Sequence, residues 1–92
     1  MIVSYADKYT ESLANHVRVK KYEAIERAAL RKLMQLEIAK SLSDLAILPG
    51  NRLERLEGKR FGQCSIRIND QYRICFKWTD AGPEDVEIVD YH

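Results

Sequence analysis

Three consecutive residues, Asp90, Tyr91 and His92, set a carboxylate, a phenol and an imidazole side by side, and each of these groups can move a proton. Two arginines, Arg67 and Arg73, flank a polar Asn69-Asp70-Gln71 stretch. Together they supply what metal-free RNA cleavage needs: a base for the ribose 2′-hydroxyl, cations for the charge building on phosphorus, and an acid for the departing 5′-oxygen. Asp90 or His92 can be the base, Arg67 and Arg73 the cations, and His92 or Tyr91 the acid. The plainer reading of the triplet is a solvated chain end.

The elements that must position these groups are strands. Cys64 to Ile68 and Tyr72 to Trp78 alternate apolar and polar residues, as half-buried strands do, and a further strand runs from Asp85 to Tyr91. If Ile66 and Ile68 share a face with Ile74 and Phe76, period-two alternation demands a connection of odd length. Asn69-Asp70-Gln71 meets that demand, with Asn or Asp taking the left-handed conformation expected of such a loop. Arg67 and Arg73 then stand on one sheet face on neighbouring strands, a repulsive arrangement unless an anion lies between them. An RNA phosphate is one such anion; Asp70, Glu87 or another local acid is the alternative. Arg73 faces away from the Ile74 and Phe76 side, so its removal is expected to spare the fold. The same parity sends Cys64 and Cys75 to opposite faces, against a disulfide and in favour of packing roles.

The first half reads as helical. Ala6 to Asn15 favours a helix, with His16 beyond its end. From Tyr22 to Ile38 the residues Tyr22, Ile25, Ala29, Leu33 and Leu36 recur at helical spacing as one apolar stripe. Arg27 and Arg31 fall on the opposite side. Met1 to Val3 is a candidate edge strand, Ser41 to Ala46 a short helical turn, and Leu53 to Leu56 an irregular strand. Gly58 and Gly62 bracket a basic turn holding Lys59 and Arg60. The order implies one α+β domain over residues 1–92, with two N-terminal helices packed on a small, mostly antiparallel sheet.

The 92 residues carry a net charge of +1, too little to announce a nucleic-acid binder by itself. Residues 1–40 hold eight Lys and Arg against five acids, and the remainder seven against nine. The N-terminal excess makes Arg18, Lys20, Lys21, Arg27 and Arg31 candidates for contact with RNA or the ribosome, together with Lys59 and Arg60. Two distant histidines, no paired-cysteine motif and no glycine-rich phosphate loop call for neither metal nor cofactor. The early charges interrupt any signal peptide or membrane span, so a cytoplasmic protein is expected.

The runs Pro49-Gly50-Asn51-Arg52-Leu53-Glu54, Gly62 to Ile74 and Val86 to His92 resemble the HigB toxins of the RelE/ParE superfamily. The resemblance implies a RelE-like, microbial-ribonuclease-like fold acting on messenger RNA in the ribosomal A site. It implies a HigA-like helix-turn-helix antitoxin, and promoter DNA bound only through the toxin–antitoxin complex. It assigns catalysis to Asp90, Tyr91 and His92, and phosphate contact to Arg67 and Arg73. Some members carry a catalytic histidine where this chain has Glu54, which can serve as a base in its place or be a plain surface residue. The competing readings are a ParE-like toxin that binds gyrase and a non-catalytic module that only binds antitoxin.

Overall fold

The alternating second half of the chain builds a four-stranded antiparallel sheet, β1 (Glu54–Arg55), β2 (Cys64–Arg67), β3 (Tyr72–Thr79) and β4 (Gly82–Asp90), in sequential order. Ahead of it come helices α1 (Lys8–Ala14), α2 (Glu26–Ile38) and α3 (Leu42–Ala46), with a 3-10 turn, Lys20–Ile25, leading into α2. The computed structural model describes residues 1–91; His92 lies outside the described residues. The α+β class, the antiparallel sheet and the short helical turn after Ser41 match the sequence reading, while the start of the helix expected from Tyr22 is a 3-10 turn, with α2 beginning at Glu26.

The core forms where the apolar stripe of α2 meets the apolar sheet face. Tyr22, Ile25, Ala29, Leu33 and Leu36 are all buried, with Leu13 of α1 and Leu45 of α3, against Ile66, Ile74, Phe76, Val86 and Ile88. Burial pushes the pKa of Tyr22 up to about 12, so its hydroxyl stays protonated facing the Ile88 carbonyl at 3.5 Å. Ser41 caps α3 through a reciprocal pair of bonds with Asp44.

The β2–β3 register pairs Ile66 with Ile74 and Arg67 with Arg73, as the parity argument requires. The turn closes differently from expectation. None of Asn69, Asp70 and Gln71 takes a positive φ. Instead the Asn69 side-chain oxygen accepts the backbone N–H groups of Gln71 and Tyr72, at 2.9 and 2.7 Å, so the side chain does the work of a left-handed residue. The Leu53–Leu56 strand contracts to two residues, Glu54 and Arg55.

The first residues do run along the sheet edge, but as an irregular segment. Val3 donates to the Pro83 carbonyl, and one parallel bridge joins Tyr5 to Val86. A bulge explains the interruption. Cys75 pairs with Glu87 but Lys77 with Glu84, which leaves an extra residue in β4 beside Asp85, whose φ is +55°. Ser4 takes up the bulge by accepting the Asp85 N–H on its hydroxyl and the Val86 N–H on its carbonyl. Further along the edge, the Thr10 hydroxyl accepts the Ile88 N–H at 3.0 Å.

Helices and sheet are tied through Asn51, which is wholly buried. Its side-chain oxygen accepts from the Lys32 ammonium at 2.5 Å, and its amide nitrogen donates to Gln35 and to the Leu45 carbonyl, each at 3.0 Å. Its own carbonyl accepts from the Arg67 N–H at 2.7 Å. Burial, with Arg31 and Arg67 nearby, lowers the Lys32 pKa. Asn51→Ala should therefore destabilise the protein by about 3–5 kcal/mol, because it strands a buried ammonium as well as two amide partners. Thermal unfolding should show a fall of more than about 10 °C. A loss below about 1 kcal/mol would mean that water replaces the amide without cost.

Candidate functional site

The sheet face away from the helices carries Ser65 and Arg67 of β2, Arg73 and Cys75 of β3, and Glu87 and Val89 of β4, since these pair across the strands in register. Glu54 joins them from β1 opposite Ser65, and Tyr91 continues the alternation just beyond β4. At one end of this face Arg52, Glu54, Arg67, Asn69, Asp70, Arg73 and Tyr91 line an open cavity of about 300 Å³. Three guanidinium groups, two carboxylates and a phenol converge there.

Arg73 is the fixed centre of the group. Its side chain is only 10% exposed. Nε donates to the Ser65 hydroxyl at 2.7 Å, Nη2 to the Arg52 carbonyl at 2.6 Å, and Nη1 lies 3.7 Å from a Glu54 carboxylate oxygen. Its guanidinium carbon stands 5.7 Å from the centre of the Tyr91 ring, which holds that ring at the cavity rim. Arg73 does face away from Ile74 and Phe76, as expected, yet it is buried among bonds that hold the Arg52 backbone to β2, which argues against the expected small loss of folding on its removal. Arg52 itself adopts φ +45°, a left-handed conformation uncommon for a long side chain.

Arg67 is more open. Its guanidinium pairs with the exposed Asp70 carboxylate, and that hydrogen bond, with the guanidinium charge, holds the Asp70 pKa below the ordinary aspartate value. Glu87 is engaged by Arg60, 3.2 Å away, which also donates to Gln63. Between them Cys75 is buried, and burial pushes its thiol pKa up despite the nearby Arg60 and Arg73 charges. Cys64 and Cys75 are both free thiols, on opposite faces of the sheet.

The structure thus brings together Arg67, Arg73, Glu54 and Tyr91 and leaves Asp90 apart. Alternation along β4 turns Asp90 to the helix side, where it pairs with Tyr72, accepts a bond from Gln71 at 3.0 Å and lines a second cavity with Lys21 and Tyr22. Of the Asp90-Tyr91-His92 triplet, Tyr91 thus reaches the arginine cavity and the Asp90 side chain turns from it, while His92 lies outside the described residues. Of the candidate RNA-binding cations, Lys20, Arg27, Arg31 and Lys59 are exposed. Arg18 lies near Glu23 and Glu26, at 4.0 and 3.8 Å, and Lys21 sits over the Tyr9 ring at 4.1 Å. Sequence reasoning did not single out Arg52 or Asn69. Their signal was faint: Arg52 follows a Pro-Gly-Asn turn, and Asn69 opens the β2–β3 loop.

Comparison with known proteins adds a lineage. Residues 3–92 match a family model described as HigB-like toxin, the RelE-like toxin of the type II toxin–antitoxin system HigB. Toxin HigB-1 of Vibrio cholerae is 44% identical over 83 residues, covering 88% of this chain and 87% of that protein. An uncharacterized protein of Haemophilus influenzae is 42% identical over 48 residues, 52% of this chain and 48% of its own length. A solved chain of the YoeB–YefM complex from Staphylococcus aureus shares the fold, with a TM-score of 0.59 at 18% identity over 100% of this chain and 95% of that one.

Two stability measurements follow from the geometry. Arg73→Ala should cost roughly 2–4 kcal/mol, whereas Arg67→Ala, losing one pair with an exposed partner, should cost no more than about 1. Equal losses would contradict the difference in burial. Because the folded Asp70 pKa is lowered, its contribution is present above the ordinary value of 3.8 and lost as pH falls through the folded value. Acid titrations of the wild type and of Asp70→Asn should therefore converge at low pH; parallel curves would show that the pair stabilises nothing.

Proposed function

The chain belongs to the HigB-like toxins, the RelE-like toxins of type II toxin–antitoxin systems, and on that premise we propose that it is an endoribonuclease that cuts messenger RNA on the ribosome using its own side chains. The observation that carries the reading is the cavity in which Arg52, Arg67 and Arg73 converge beside Glu54 and Tyr91. A scissile phosphate drawn between Arg52 and Arg67 meets cationic donors beside the fixed Arg73 guanidinium, where charge developing on phosphorus is stabilised.

In this proposal the ribose 2′-oxygen forms the new bond to phosphorus, and the bond from phosphorus to the 5′-oxygen breaks, leaving a 2′,3′-cyclic phosphate. Glu54 accepts the 2′-hydroxyl proton, since its carboxylate is 56% exposed at the cavity wall beside Arg73. Tyr91 or His92 returns a proton to the departing 5′-oxygen. Arg67 and Arg52 hold the phosphate, Arg67 exchanging Asp70 for it, while Arg73 orders both Glu54 and Tyr91. Asp90 acts from the far face, by holding Gln71 under the Tyr91 N–H. The exposed Lys20, Arg27, Arg31 and Lys59 serve ribosome docking through phosphate contacts. A HigA-like antitoxin is proposed to silence the toxin in the cytoplasm, and the complex to bind promoter DNA.

The test is to induce the chain alone and map messenger 5′ ends in cells and on purified programmed ribosomes. Codon-phased cuts are expected. Glu54→Gln should slow single-turnover cleavage by roughly 10²–10⁴-fold, and His92→Gln by a similar factor if its imidazole is the acid. Arg67→Ala should lower it about 10²–10³-fold with the fold intact. Intact messages together with inhibition of DNA gyrase would replace this reading with a ParE-like one.

A further inference from the structure

A second exposed feature lies in the loop between β1 and β2, outside the arginine cavity. The loop after β1 carries Phe61 with 81% of its surface in water, an expensive position for a phenyl ring. Exposure here is not looseness. The 3-10 turn Gly58–Arg60 is closed by bonds from Arg60 N to the Glu57 carbonyl and from Phe61 N to the Gly58 carbonyl, at 3.3 and 3.1 Å. Gly58 and Gly62 take φ of +64° and +94°, which lets the chain turn sharply on both sides of the ring. Arg60 reaches back to Glu87 on β4 and to Gln63, bracing the loop against the sheet. An aromatic ring is thus held out on a rigid mount.

The surroundings select a partner. Between Arg55 and Gln63 there are three cations, Arg55, Lys59 and Arg60, against one carboxylate, Glu57. Arg60 is committed to the brace, so Lys59 and Arg55, both exposed, set the charge that a partner meets. An apolar protein segment would gain little from that fringe. A single RNA strand gains from both parts, because its phosphates pair with the cations and any of its bases can stack on the ring. The loop is tied to the arginine face through Arg60, which reaches Glu87, while Phe61 lines a cavity of its own with Arg55, Leu56 and Cys64.

We propose that Phe61 is a stacking platform for an unpaired base of the same RNA whose phosphate enters the arginine cavity, with Lys59 and Arg55 contacting its backbone and Arg60 positioning the loop. This rests on the ribonuclease reading above and adds to it a binding subsite outside the reacting groups.

The experiment measures binding of the full-length toxin to ribosomes programmed with a message carrying 2′-deoxy nucleotides in the A-site codon, which cannot be cut. Phe61→Ala should weaken binding by about 5–100-fold, Phe61→Tyr should bind as wild type, and Phe61→Leu should resemble Phe61→Ala. Thermal stability should be the same in all, since the ring packs on little. A photoreactive phenylalanine analogue at position 61 should cross-link to RNA. Native binding by Phe61→Leu would overturn the proposal in favour of a plain apolar contact, and cross-linking to protein alone would overturn it in favour of a protein partner. Arg67→Ala separates the two failures. If it weakens binding while Phe61→Ala does not, only the stacking proposal falls; if neither does and messages stay intact, the ribonuclease reading falls with it.

Discussion

A buried amide is tolerated only when each of its hydrogen-bonding groups is met, and the Asn51 side chain meets its needs by drawing three elements to one point. Its partners lie on α2 and at the C-terminal end of α3, and its carbonyl joins β2. Apolar contact between helices and sheet is non-directional and would accept small slips. The amide does not, because a shift of an ångström leaves an ammonium buried without an acceptor. Fixing Asn51 also fixes Arg52, whose carbonyl receives the Arg73 guanidinium. The charged cavity is therefore set by a bond network on the other side of the chain from it.

The arginines of the open face show how like charges come to stand together on one side of a sheet. Three of them are paired with a local acid: Arg67 with Asp70, Arg73 with Glu54, and Arg60 with Glu87. The three pairs differ in what they leave available. Asp70 is almost wholly in water, so its hold on Arg67 is weak and readily exchanged. Arg73 would keep its Ser65 and Arg52 partners whatever Glu54 does. Such a face has one exchangeable guanidinium and one immovable one, a division of labour that neither net charge nor the count of cations reveals.

What was legible in the sequence followed from periodicity. The α2 stripe, the hairpin register and the segregation of the two cysteines are geometric consequences of where apolar residues fall, and no tertiary information is needed to obtain them. Arg67 and Arg73 were found as neighbours for the same reason. The fate of their charges was not, since burial of Arg73 depends on Arg52, Ser65 and Tyr91, which periodicity cannot bring together. The turning of Asp90 from the arginines was hidden because a consecutive triplet looks like a unit, whereas a strand sends neighbouring residues to opposite faces. Lys32 and Asn51 went unnoticed for another reason: one reads as a surface cation and the other as a turn residue, and only the fold joins them.

The arrangement of the sheet edge bears on the order in which the molecule can assemble. The outward groups of β4 are met by Ser4, Ala6 and Thr10, partners about 80 residues away along the chain. Contacts so distant in sequence bring their reward only after a large loop has been closed, so they belong to the slow part of folding. Until then β4 is an open edge, the kind of surface on which chains pair with one another. Glu87, Val89 and Tyr91 lie on or just beyond this strand, so a chain caught before closure presents that sticky edge next to residues of its charged face.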